Sequence, residues 1–138
     1  MIDNKTAPYA ALVLRITTGV LFIQHGLLKL MVFTPAGTAG FFESLGLPGW
    51  LGYLTMIAEI AGGAALILGI ATRLVSAALV FPLLGAVIFA HWGAGFGWTN
   101  QGGGWEYPAM WALVQASLAL LGDGAYALYP LKLKKAAA

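Results

Sequence analysis

The chain has 138 residues, enough for one domain. Hydrophobic residues make up 60% of it and charged residues only 9%, against about 25% charged in a soluble domain, which excludes a soluble protein and predicts one embedded in the lipid bilayer. It has no cysteine, hence no disulfide, iron–sulfur ligation or thiol nucleophile. Its net charge of +2, with no basic patch, gives no reason to expect nucleic acid as a partner.

Residues 1–8 form a short polar lead, and Pro8 suits the first turn of a helix. The apolar stretch that follows, residues 9–33, is long enough to span a hydrocarbon core. It exceeds the apolar region of a cleavable signal and has no obvious small-residue cleavage site, so it is expected to be retained. Inside it sit Arg15, His25 and Lys29. At ~100° per residue they share an arc of roughly 120° with Thr18, Gly19, Phe22 and Gly26, while the opposite side is mostly Leu, Ile and Val. One face is thus predicted to meet lipid and the other protein or a cavity. Ionisable groups at bilayer depth mark a partner, a pathway or a site. The stems of Arg15 and Lys29 also allow them to snorkel toward the two membrane surfaces; His25 is too short to do so.

A Gly/Pro/Thr-rich connection with Phe41, Phe42, Leu45 and Leu47 is expected to form a short interfacial segment. The second span, residues 50–71, places Glu59 near its middle on a face with Gly52, Gly62 and Gly63, where a neighbouring helix can approach closely. A carboxylate there must be protonated, paired or hydrated. Thr72 and Arg73 lead into the third span, residues 74–92, which Pro82 is expected to kink and which ends near His91. Residues 93–105 are irregular and glycine-rich, without the preceding strand or the spacing of a nucleotide-binding loop. Glu106 and Pro108 open a fourth span, taken as residues 107–128, with an interruption allowed at residues 122–124.

The expected fold is therefore an all-α membrane protein, a four-transmembrane-helix bundle over residues 1–138. Lys5, Arg73, Lys132, Lys134 and Lys135 then share one side, and the two other connections contain no Lys or Arg. That side, with both termini, is predicted to be cytoplasmic. Counting 1.5 Å per residue from that side puts Arg15 at about 6 Å, Glu59 at about 17 Å, His25 at about 21 Å and His91 at about 25 Å. Asp123 falls near the level of Arg15. On these levels Glu59 is expected to pair with His25 and share a proton, with Arg15 as the rival partner.

The same residues carry a family resemblance. Leu14-Arg15, Gly19, Phe22, His25-Gly26 and Lys29-Leu30 resemble the first-helix signature of the DoxX family of small four-helix membrane proteins. Glu59, Gly62-Gly63, Leu66, Gly69 and Thr72-Arg73 resemble its second-helix signature. His91, Phe96, Gly104 and Glu106-Tyr107-Pro108 resemble its third; Tyr129 stands where the family often has Asp. The resemblance implies a multi-pass protein of the bacterial inner membrane tied to redox metabolism, whose relatives are described as quinone oxidoreductase subunits or membrane partners of oxidative-stress and sulfur-handling enzymes.

Three functions follow for testing. A quinone-linked subunit needs proton-exchanging groups in an apolar cleft, and Phe22, His25 and Glu59 are the candidate pocket. Electrons must then come from a partner redox protein, because the chain has no recognisable electron-carrying group. A metal or haem on His25 and His91, with Glu106 as a third ligand, is the weaker expectation: no metal and no tightly bound cofactor are expected, quinone being the candidate ligand. The non-enzymatic alternative is a membrane anchor, an assembly subunit or a small-solute or proton conduit, where Arg15, Lys29 and the other buried polar groups are structural or line a pathway. Four helices leave little room for a pore without a homo-oligomer. Fold resemblance alone does not choose among these.

Overall fold

The computed structural model describes residues 3–130. Helix α1, Ala7–Leu27, continues into a π-helical turn at Leu28–Val32. Helices α2, Pro35–Ser44, and α3, Trp50–Leu68, follow. Helix α4, Thr72–Gly85, continues through a second π-helical turn, Ala86–His91, and a short 3-10 turn, Trp92–Ala94. Helix α5 is Glu106–Leu121. The described residues contain no strand, only an isolated parallel bridge between Ile70 and Tyr129.

Three helical stretches, Ala7–Val32, Trp50–Leu68 and Thr72–Ala94, are long and apolar enough to cross a membrane. Helix α5 has 16 residues, about 24 Å of rise. It stops at Leu121, short of the expected residue 128, because Gly122 and Gly124 take positive φ values that residues with a Cβ avoid. The predicted interfacial segment contains helix α2, which Thr34 caps by accepting from the Gly37 N–H at 3.2 Å. Lys132, Lys134 and Lys135 lie outside the described residues.

The helices pack most extensively as two pairs, α1 with α3 and α4 with α5. In the first pair the backbones nearly touch. A Cβ on Gly19 would lie 2.7 Å from the Gly63 carbonyl oxygen, and one on Gly63 2.6 Å from that of Gly19. Gly26 sits as tightly against Ile60 and Met56. Small residues permit this approach, and in lipid, where apolar surface gains nothing by leaving the solvent, dispersion contact across the seam holds the helices together. The two helices run antiparallel, with Gly26 opposite Ile60 and Gly19 opposite Ile67.

One end of the bundle, the turn end, holds the start of α1, the α3–α4 turn and residues 122–130. Helix α3 stops at Gly69, which has φ 69° and ψ 45°, and the Ile70 N–H bonds back to the Ala65 carbonyl at 2.8 Å. Residues 122–130 then lie across this turn. Leu128 N donates to Leu68 O at 3.1 Å, Tyr129 N to Gly69 O at 3.1 Å, and Ala71 N to Tyr129 O at 3.0 Å. Arg73 caps α5 by donating to the carbonyls of Ala119, Leu120 and Leu121. The other end, the loop end, holds α2 and residues 95–105, where Trp92 stacks on Trp105 at 5.5 Å between ring centres.

Substituting Gly19→Val or Gly63→Val is expected to lower stability in detergent by ~1–3 kcal/mol, the cost of overpacking a tight contact. Gly40→Val, with no neighbour within 4 Å, should move it by less than ~0.5 kcal/mol beyond any change in helix propensity. Thermal unfolding of the three variants followed by circular dichroism checks this.

Candidate functional site

Arg15 of α1 and Lys29 of the π-helical turn that follows it go to opposite ends of the bundle, and each finds partners within the protein. Arg15 is 1% exposed. Its guanidinium donates to two backbone carbonyls, Asp123 O at 3.0 Å and Ala125 O at 2.9 Å. The Asp123 carboxylate turns instead to the first turn of α4, accepting from Thr72 N at 3.0 Å. Arg15 also lies directly beneath Gly69, where a Cβ would collide with its Nη1. Gly69 is thus required both by its positive φ and by the cation below it. The levels of Arg15 and Asp123 agree with the expectation from sequence, but the contact is made through backbone rather than between charges.

Lys29 meets Glu59. Its Nζ donates to Oε1 at 3.0 Å and lies 2.8 Å from Oε2, which it approaches at an angle unsuited to a second hydrogen bond. The side chains are 19% and 9% exposed, so this is a largely desolvated ion pair. It replaces the expected pairing of Glu59 with His25. The reason is side-chain direction: every Cα–Cβ bond leans toward its helix N-terminus. With Gly26 opposite Ile60, Glu59 stands opposite residue 27, about 3 Å along the axis from both His25 and Lys29. Lys29 leans toward the turn end and Glu59 toward the loop end, so these two side chains converge, whereas His25 leans away.

The π-helical turn at Leu28–Val32 carries Lys29. The Lys29 carbonyl accepts from the Thr38 hydroxyl at 3.3 Å, which ties α2 to this turn. Between them opens a cleft of about 400 Å³ lined by Lys29, Phe33, Gly37, Thr38, Phe41 and Phe42. The aromatic residues of the connection had been legible as interfacial; that they wall a cleft over Lys29 had not.

His25 and Phe22 face the other helix pair. Both pack on Trp111 of α5, with ring centres 5.2 and 4.6 Å away. The rings continue through Tyr107, 6.0 Å from Trp111, and Trp98, 5.2 Å from Tyr107, to His91, 6.3 Å from Trp98. The two histidines therefore stand at opposite ends of an aromatic row rather than side by side. His91 Nδ1 is 2.8 Å from the Gly103 carbonyl, to which it donates in the Nδ1–H tautomer. Glu106 accepts from the Trp98 N–H at 3.0 Å and so orders the loop. No group of three His, Asp or Glu side chains with metal-ligand proximity occurs among the described residues. Of the expected quinone pocket, Phe22 and His25 belong to Trp111 and Glu59 belongs to Lys29. Trp111 and the phenylalanines of α2 were not among the expected site residues; nothing in the mostly apolar run of α5 sets Trp111 apart.

A multi-pass helical membrane protein with ionisable side chains buried in its helix seams is the class these features define. The chain belongs to the DoxX family, which it matches over residues 10–92. That stretch contains Arg15, His25, Lys29, Glu59 and His91. It is 35% identical over 131 residues to the protein named "Putative oxidoreductase CatD" of Bacillus subtilis (strain 168), covering 95% of this chain and 92% of that one. It is also 35% identical over 87 residues to "Inner membrane protein YqjF" of Escherichia coli (strain K12), covering 62% of this chain and 65% of that one. No solved structure matches. The protein is thus a multi-pass protein of the bacterial inner membrane, in contact with lipid.

A double-mutant cycle separates the two pairings of Glu59. Lys29→Met and Glu59→Gln should couple by ~1 kcal/mol or more in detergent stability, the double variant being less harmed than the sum of the singles. His25→Gln and Glu59→Gln should add to within ~0.5 kcal/mol.

Proposed function

We propose that this protein is a quinone-linked membrane subunit that works with a partner oxidoreductase, with the cleft over Lys29 as its quinone-facing site. The cleft carries the reading: three phenylalanine rings and one ammonium group border a volume of about 400 Å³, within the range of small-molecule pockets. A planar ring fits between aromatic walls, and the Lys29 N–H can donate to a ring oxygen. Glu59, bonded to Lys29 from behind, keeps the ammonium oriented and offers a carboxylate through which a proton can be passed on. The relative named as an oxidoreductase supports the redox part of the reading. A quinone, when bound, supplies the two-electron chemistry; this chain supplies orientation and protons. Electrons come from a partner chain, since the sequence has no cysteine and no nucleotide-binding loop. The alternative, a non-enzymatic anchor or conduit, draws on the same absence.

The cleft then lies at the outer side of the membrane. The proposed topology has four spans with both chain ends in the cytoplasm, α5 being a short fourth span, and Lys5 and Arg73 give the turn end its positive charge. Single cysteines replacing Gly40 and Gln101 should be labelled by an impermeant maleimide on intact spheroplasts, and one replacing Lys5 should not. The reverse pattern overturns the topology.

Binding of a short-chain ubiquinone or menaquinone analogue to the purified protein in nanodiscs should quench tryptophan fluorescence saturably. Lys29→Met should weaken it at least tenfold, about 1.4 kcal/mol, and Phe41→Ala should also weaken it. Leu113→Ala, on an exposed face of α5, should leave it unchanged. Equal binding by all variants overturns the proposed site.

A further inference from the structure

Eight buried side-chain nitrogen or oxygen atoms have no hydrogen-bond partner among the described residues. One is Glu59 Oε2, already beside Lys29. The other seven belong to Arg15 (Nε), Thr18, Thr72, Ser76, Trp111 (Nε1) and Gln115, both of whose amide atoms are orphaned. All six residues are at least nine-tenths buried, and Thr72, Ser76 and Gln115 are fully so. These residues are not scattered. Arg15 and Thr72 both bond Asp123, which puts them at one level. Thr18 lies one turn further along α1 and Ser76 one turn further along α4. Phe22, a turn beyond Thr18, packs on Trp111, and Gln115 is one turn from Trp111 back toward the turn end. Thr18, Ser76 and Gln115 therefore stand at about one level on α1, α4 and α5, all three buried, with Arg15 and Thr72 toward the turn end and Trp111 toward the loop end.

Helical hydroxyls have a local remedy, donation to a carbonyl of the preceding turn. Ser117 takes it, bonding Leu113 O at 2.8 Å, and Ser44 bonds Phe41 O at 2.7 Å. Thr18, Thr72 and Ser76 do not, and Gln115 and Trp111 have no such remedy. An unpaired polar group in a bilayer interior is costly, so these groups require a shared partner that can both donate and accept. The set offers both roles: an Arg N–H, an indole N–H, a carboxamide NH₂ and three hydroxyls donate, while the carboxamide oxygen and the hydroxyl lone pairs accept.

We infer that a cluster of ordered waters occupies the seam between α1, α4 and α5, bound by Arg15, Thr18, Thr72, Ser76, Trp111 and Gln115. At about three hydrogen bonds per buried water, seven orphaned atoms call for roughly two or three waters. The cluster bridges the two helix pairs and carries hydration from the turn end to the indole of Trp111. This site is separate from the Lys29 cleft and does not depend on the quinone reading.

The test is nuclear magnetic resonance of the full-length protein in nanodiscs, with ¹⁵N-labelled Trp, Gln and Leu. Direct cross-relaxation from water to the Trp111 indole N–H and the Gln115 amide is expected, with exchange of both protons in D₂O at least tenfold faster than that of the Leu79 and Leu83 backbone amides. In the triple variant Thr18→Val, Ser76→Ala, Gln115→Leu the water contact at Trp111 should be lost and its exchange slowed at least tenfold. Absence of water cross-relaxation at both groups in the unaltered protein overturns the inference, as does contact with a bound solute instead of water. If the triple variant fails to fold, the measurement on the unaltered protein still decides.

Discussion

The structure depends on how closely α1 can approach α3. With Gly19 against Gly63 and Gly26 against Ile60, the backbones meet without intervening side chains, and the antiparallel register is set by contact that tolerates little sliding. That register decides where every charge in the first two spans ends up. Lys29 arrives within reach of Glu59 at the loop end, and Arg15 arrives beneath the αL glycine that ends α3. A shift by one helical turn would part the ion pair and push the guanidinium into the turn.

The two cations of α1 are accommodated by different chemistry. Lys29 is neutralised by a carboxylate, which keeps the total charge near zero beside the adjoining cleft. Arg15 is solvated by peptide carbonyls from residues 123–125, whose dipoles compensate a positive charge without adding a negative one. Its planar, multi-donor head suits two diverging acceptors in a way that a lysine ammonium does not. The first arrangement is suited to exchange; the second is suited to permanence.

Much of this was legible in the sequence, and the limits have physical causes. Three of the spans followed from hydropathy and length because the bilayer imposes both. The inward face of α1 followed from a 3.6-residue period, and the family signatures from the spacing of its polar residues. The partner of Glu59 did not follow, because levels counted along Cα atoms ignore side chains that lean in opposite directions on antiparallel helices. In the observed register, with Gly26 opposite Ile60 and Gly19 opposite Ile67, Glu59 faces a point midway between His25 and Lys29, and only the lean of the side chains selects Lys29. The end of α5 was placed too late because apolar residues continue past Leu121, whereas Gly122 and Gly124 break the helix for backbone reasons. The cleft over Lys29 joins two elements whose mutual orientation no periodicity encodes.

The carbonyls that hold Arg15 have a consequence for biosynthesis. They lie 108 and 110 positions further along the chain, in the segment that crosses the α3–α4 turn. While a nascent chain is being inserted, α1 must carry this guanidinium through the whole translation of α2 to α5 with no internal acceptor for it. The cation remains with water or lipid headgroups until residues 123–125 emerge and fold back. Closure of the turn end is therefore coupled to completion of the last helix, and a chain that terminates before Asp123 retains an unsatisfied charge at its first membrane helix.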